Sequence, residues 1–105
     1  LADVVATPVV IEGGTSVWAQ YTMTTANRDA IVKALAADGV PTGVYYPTPL
    51  HLQGPYAHFP RDPAGMTVTE DKMGHVFSLP MHPYLDDVTQ DRIVAALRKV
   101  VETCQ

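Results

Sequence analysis

Asn27-Arg28-Asp29-Ala30-Ile31-Val32-Lys33-Ala34-Leu35-Ala36-Ala37-Asp38-Gly39-Val40-Pro41 decides the fold, because it reads as one whole helix with its own start and stop. Asn27 is a capping residue type, and Asp29 in the first turn complements the positive helix end. Ile31, Ala34, Leu35 and Asp38 share a face, flanked by Val32 and Ala36. Gly39 accepts the left-handed conformation that ends a helix, and Pro41 prevents its resumption.

On the N-terminal side, Val17, Ala19, Tyr21 and Met23 alternate with Trp18, Gln20, Thr22 and Thr24, the period of a strand over Ser16–Thr25. On the C-terminal side, Thr42 to Tyr46 reads as a short strand. A long excursion follows, rich in Pro and Gly between Gly54 and Gly65. A short helix is expected after it, capped by a Thr67/Glu70 box or by Thr69 and ending near Gly74. Val76-Phe77-Ser78-Leu79 is an apolar strand stopped by Pro80. Asp87 with Gln90 suggests a capping box for a last helix with Ile93, Leu97, Val100 and Val101 on its apolar side. Strand, helix, strand, excursion, strand, helix predicts a two-layer α/β (α+β) small domain, a three-stranded mixed sheet with helices on one face.

Residues 4–11, Val-Val-Ala-Thr-Pro-Val-Val-Ile, are apolar and β-branched, but Pro8 argues against a central strand. With the Gly13-Gly14 turn they make residues 1–15 an extended linker segment expected to pack on a larger domain, and residues 16–105 the small domain itself. The opening on Leu and on this β-rich stretch reads as a cut from a longer chain.

A length of 105 residues suits one domain, and 47% hydrophobic residues suit a packed core. The net charge is −4, and the basic residues are scattered, so no stripe could neutralise a row of phosphates; a nucleic-acid partner is not expected. No apolar stretch approaches bilayer length, and no membrane association is expected. Cys104 is the single cysteine, which fits a cytoplasmic protein. His51, His58, His75 and His82 lack metal-ligand spacing, so no metal is expected. Ser16 and Ser78 lack the turn that exposes a serine nucleophile, and Gly13-Gly14 lacks the remainder of a phosphate loop.

Two proline-braced corners remain, Tyr45-Tyr46-Pro47-Thr48-Pro49-Leu50-His51-Leu52-Gln53 and Ser78-Leu79-Pro80-Met81-His82-Pro83-Tyr84. Prolines fix φ, so such corners hold polar side chains in place. His51 and Gln53, two residues apart, either face one ligand or satisfy the carbonyls and amides of their own loop; both readings stand on spacing alone. Trp18, Tyr46 and His82 are supporting or possible contacts, with Thr48 and Ser78 as minor candidates.

Together with Thr15-Ser16-Val17-Trp18-Ala19-Gln20-Tyr21-Thr22 and Gly39-Val40-Pro41-Thr42, these corners resemble the C-terminal domain of the DegT/DnrJ/EryC1/StrS pyridoxal-phosphate-dependent sugar-nucleotide aminotransferases. The segments occur in family order, and the first looks especially like members acting on nucleotide-linked 3-keto sugars, uronic acids included. The resemblance implies the small domain of an aspartate-aminotransferase-like (fold type I) enzyme. It implies a missing N-terminal large domain carrying the Schiff-base lysine, pyridoxal 5'-phosphate as cofactor of the full-length parent, and a homodimer. It further implies transfer of an amino group, commonly from glutamate, to a nucleotide-linked keto sugar, in pathways such as polysaccharide biosynthesis. His51 and Gln53 match the family's Pro-x-Pro-Leu-His-x-Gln corner, which implies substrate binding; Trp18 and Tyr46 look like its supporting shell.

Lys33, Lys72 and Lys99 all fall on expected helices, and none looks like a desolvated aldimine-forming amine. No catalytic or cofactor-binding residue is therefore expected in this chain, and alone it should be inactive. Two alternatives stay open: a small α/β interaction or regulatory module, or the small domain of a pyridoxal-phosphate transferase with a non-sugar substrate.

Overall fold

In the computed structural model, described for residues 1–104, a short sheet carries two long helices on one face. The elements are β1 (Tyr21–Thr24), α1 (Arg28–Ala37), α2 (Thr67–Met73), β2 (Val76–Leu79) and α3 (Asp87–Thr103). Two single 3₁₀ turns, Leu50–Leu52 and Gly54–Tyr56, lie in the excursion between α1 and α2.

The helix that decides the fold ends as its sequence requires. Gly39 has φ +74°, and the Val40 N–H reaches back to the Leu35 carbonyl at 2.9 Å. Its start differs. Asn27 makes no side-chain cap; its Nδ2 donates to the Cys104 carbonyl at 2.9 Å, tying the start of α1 to the end of α3. At α3 the cap is Asp86, one residue before the expected Asp87/Gln90 box, and it accepts from the Thr89 N–H at 2.7 Å. The Thr89 side chain and then this N–H favour the carboxylate and hold Asp86 below the usual carboxylate range.

β1 and β2 pair antiparallel, Tyr21 opposite Leu79 and Met23 opposite Phe77. Met23 and Phe77 are wholly buried against Ile31 and Leu35 of α1 and Leu97, Val100 and Val101 of α3, with Val40 and Val5 completing the core. Each large apolar side chain so buried contributes about 1.5–3 kcal/mol. One residue along, Thr22 faces Ser78, and their hydroxyl oxygens lie 2.8 Å apart. This bond satisfies Ser78, the buried polar side chain of the strand.

The expected three-stranded mixed sheet is not formed: the sheet has two strands, both antiparallel. The segment Thr42–Tyr46 lies beside β2 but contributes one bridge, Gly43 with Ser78. Pro41 and Pro47 have no N–H to donate, and between them the Tyr45 ring folds over Gly43. It lies so close that a Cβ on Gly43 would stand 2.6 Å from the ring. The backbone leaves the sheet after one residue. β1 is also shorter than the alternation over Ser16–Thr25 suggests, because Trp18 has φ +47°, which ends extended structure before Gln20. The Thr67/Glu70 box and the Thr69 cap do not form either; Met66 stands at the N-cap of α2 without a side-chain bond.

The N-terminal segment divides in two. Ala6 bridges to Thr24, Val5 is buried, and Asp3 meets the Arg98 guanidinium of α3 through contacts of 2.6 and 3.0 Å. Beyond Pro8, Val9 and Ile11 are 87% and 79% exposed. The chain's accessible surface is 7333 Å², whereas a globular monomer of this size exposes about 5,800 Å². Its radius of gyration of 15.8 Å likewise exceeds the roughly 13 Å of a compact chain of this length.

Candidate functional site

The first proline-braced corner and α2 face one another across an open groove of about 880 Å³. Tyr45, Tyr46, Thr48, Pro49, Leu50, His51 and Gln53 form one wall. Met66, Val68, Thr69, Lys72 and Met73 of α2 and its entrance form the other, and Val76 also lines the groove. The lining is mainly apolar with a few polar groups, the usual chemistry of a small-molecule cleft.

His51 is the most constrained polar residue there. It sits in the Leu50–Leu52 turn, where Pro49 fixes the entry and the Leu52 N–H closes back on the Pro49 carbonyl at 3.0 Å. Its side chain is 10% exposed, and Nε2 donates to Glu70 Oε1 at 2.9 Å. The Arg61 guanidinium donates to the His51 carbonyl at 2.7 Å and to that of Ala57 at 3.3 Å. Ring and backbone are thus held by two different segments.

Gln53 lines the same groove, but its Nε2 donates to the Thr48 carbonyl at 2.8 Å. One end of its amide braces its own loop. Tyr46 stands 73% exposed at the groove, its ring edge-on to that of Tyr45 at 6.0 Å.

The remaining candidates lie elsewhere. Trp18 lines neither this groove nor its neighbour; its ring packs 5.3 Å from Tyr21. His82 belongs to a second groove of about 410 Å³ with Gln20, Thr42, Gly43 and Ser78, separated from the first by Tyr45. There its Nδ1 accepts from the Tyr84 N–H at 3.2 Å, so the imidazole caps its own turn.

The sequence reading missed the α2 wall and both of the partners of His51. Glu70 read as half of a capping box, and Arg61 as a scattered loop charge. No local pattern links either to a histidine 19 or 10 residues away.

The lysines do not fit the amine that condenses with an aldehyde cofactor, which must be desolvated and aimed. Lys72, on the groove, is half exposed and paired with Asp71 at 2.9 Å. That ammonium keeps the Asp71 carboxyl below its usual range. Lys99 is 71% exposed and paired with Asp38, and Lys33 is exposed. No buried side-chain polar atom among the described residues is left without a partner. Among the described residues, no three His, Cys, Asp or Glu side chains gather as a metal site, and no helix is long and apolar enough to cross a membrane.

The profile of the DegT/DnrJ/EryC1/StrS aminotransferase family matches residues 1–98. A UDP-2-acetamido-2-deoxy-3-oxo-D-glucuronate aminotransferase of Pseudomonas aeruginosa is 42% identical over 93 residues, 89% of this chain and 25% of that protein. The fold overlays a DegT/DnrJ/EryC1/StrS aminotransferase of Brucella abortus with a TM-score of 0.91 and 43% identity, covering 94% of this chain and 26% of that one. A TM-score of 0.77 at 27% identity relates it to NtdA of Bacillus subtilis, solved with bound cofactor PMP, over 96% of this chain and 24% of NtdA. The chain spans about a quarter of the length of the relatives it matches.

Proposed function

The chain belongs to the DegT/DnrJ/EryC1/StrS aminotransferase family, and on that premise we propose that it is the C-terminal small domain of an enzyme that aminates a nucleotide-linked keto sugar. Its part is to form one wall of the substrate site and to help close it. The observation that carries this reading is His51, a largely buried imidazole held from two sides at the lining of an apolar groove.

Pyridoxal 5'-phosphate, when bound to the parent, supplies a carrier that takes an amino group from a donor, glutamate in this proposal, and passes it to the keto carbon. This chain's lysines do not fit that cofactor, so the proposal places its binding on the missing N-terminal large domain. The residues here bind and orient. His51 and, more weakly, Gln53 hold sugar or linker oxygens, Tyr46 packs beside them, and the apolar wall of Met66, Val68 and Met73 limits water. The isolated chain is then catalytically inactive.

The same proposal accounts for the surface that this chain leaves uncovered. An excess near 1,500 Å² over a compact monomer is of the order of one protein interface. Val9 and Ile11 in the segment 1–15, and Val17 after it, supply large apolar side chains exposed at 79% or more. In this reading they lie against the large domain, and the parent is a homodimer.

The test is His51→Ala in the full-length parent. Loss of one useful polar contact raises the transition-state free energy for sugar amination by about 1–3 kcal/mol, roughly 5- to 150-fold in kcat/KM. The donor half-reaction should stay near normal. Single-turnover measurements of both halves separate this from a loop-bracing role, which lowers stability without a selective kinetic defect. Normal sugar amination by a folded H51A enzyme would remove His51 from the substrate site.

A further inference from the structure

We propose that Glu70 is a positioning residue for His51: its carboxylate holds the neutral imidazole as the Nε2–H tautomer and presents Nδ1 as an acceptor for a substrate hydroxyl. As a role in amination this rests on the reading of His51 given above; as a statement about the imidazole it stands alone. An ionised carboxylate can only accept, so the 2.9 Å contact between Nε2 and Glu70 Oε1 places a proton on Nε2. In a neutral ring Nδ1 then carries the lone pair. Among the described residues Nδ1 of His51 has no hydrogen-bond partner, in contrast to Nδ1 of His82, which its own loop occupies.

The surroundings favour a fixed ring. The His51 side chain is 10% exposed, and that of Glu70 is 46% exposed, so the imidazole is enclosed while its partner reaches solvent. Arg61 fixes the backbone of the same residue through the carbonyl, leaving ring rotation as the freedom that Glu70 removes. Glu70 lies within α2, whose residues Thr69, Lys72 and Met73 line the opposite wall of the groove. The contact therefore joins the two walls and sets the hydrogen-bonding polarity of one of them. Without the carboxylate the ring can flip or exchange tautomers, and a donor then points where an acceptor is wanted.

Two measurements test this. In the uniformly ¹⁵N-labelled 105-residue chain, long-range ¹H–¹⁵N spectra should report His51 as the Nε2–H tautomer above the pH at which the ring loses its extra proton. Glu70→Ala should shift the signals towards a tautomer average, whereas Glu70→Gln, whose Oε1 can still accept, should keep the wild-type pattern. In the full-length parent, Glu70→Ala should lower kcat/KM for the nucleotide sugar about tenfold, the worth of one hydrogen bond, with Glu70→Gln restoring most of it, and leave the donor half-reaction unchanged. An Nδ1–H tautomer in the wild-type chain, or spectra that E70A leaves unaltered, would overturn the proposal. So would equal kinetic losses in E70A and E70Q. If E70A does not fold, the wild-type and E70Q spectra still decide the tautomer. A fixed Nε2–H tautomer together with normal amination by H51A would defeat the substrate-site reading alone.

Discussion

The body formed by β1, β2, α1 and α3 and the excursion from Tyr45 to His75 are held together by different forces. In the body, Met23, Ile31, Leu35, Phe77 and Leu97 are buried almost completely, and apart from the Thr22–Ser78 bond within the sheet the side-chain polar contacts are mainly peripheral ties such as Asn27 to Cys104 and Asp3 to Arg98. In the excursion no residue is buried as completely as these, the His51 ring coming nearest, while Leu50, Leu52, Tyr56 and Phe59 are exposed. Its shape depends on single polar braces, Glu70 on the His51 ring, Arg61 on the His51 carbonyl and Gln53 on the Thr48 carbonyl. Apolar packing tolerates the loss of any one polar contact; a braced loop does not. The candidate site was built in the second region, where the precision of each side chain depends on one or two bonds.

Removing an apolar anchor should affect the body most. Phe77→Ala deletes a wholly buried ring opposite Met23 and should destabilise the chain by about 3–5 kcal/mol. A urea denaturation curve checks this, and a loss below about 1 kcal/mol would show that the body does not depend on its core in the way described.

Removing a brace should do the reverse. Gln53→Ala should leave the urea midpoint nearly unchanged, within about 0.5 kcal/mol, as for other surface changes. It should accelerate amide exchange and proteolytic cutting between Thr48 and Arg61 several-fold. In the parent it should impair sugar amination less than H51A does, since water can replace an amide. A large global destabilisation by Q53A would erase the contrast between the two regions.

The smallest effect concerns the body's charged ties. The Arg98 guanidinium beside Asp3 holds that carboxyl far below the usual range, and Thr89, through its side chain and its N–H, lowers Asp86. A carboxyl whose pKa is depressed on folding adds stability that is fully present above its unfolded value of about 3.9. That stability fades as pH falls below this value towards the folded pKa. Both groups are on the surface, so the effect is modest and screened by salt. The denaturation midpoint should fall between about pH 4 and pH 2, and the fall should shrink in the Asp3→Asn, Asp86→Asn double variant. An identical pH response in that variant would assign acid sensitivity to other carboxylates.

The body was largely legible in the sequence because its signals are local. The stop at Gly39 and Pro41, the apolar face of Ile31 and Leu35, and the Ile93–Val101 stripe each depend on residues within a few positions, and the structure has them as read. The errors there were small in sequence distance, such as a cap at Asp86 in place of Asp87, or larger where a pattern lacked partners. Thr42–Tyr46 has strand composition, but a strand is completed by its neighbour, and the Tyr45 ring over Gly43 limits the pairing to one bridge.

By itself the sequence determined the helices, the two corners with His51 and Gln53 on one of them, and the family resemblance carried by residues along the whole chain. Only the tertiary structure decided that the sheet has two strands, that Tyr46, His51 and Gln53 share a groove while Trp18 and His82 do not, and that Glu70 and Arg61 hold His51. Helix periodicity and turn chemistry act over the next few residues and are written in one dimension. The brace on the His51 ring joins residues 19 positions apart, the groove gathers residues from Tyr45 to Val76, and such contacts exist only once the chain has closed upon itself.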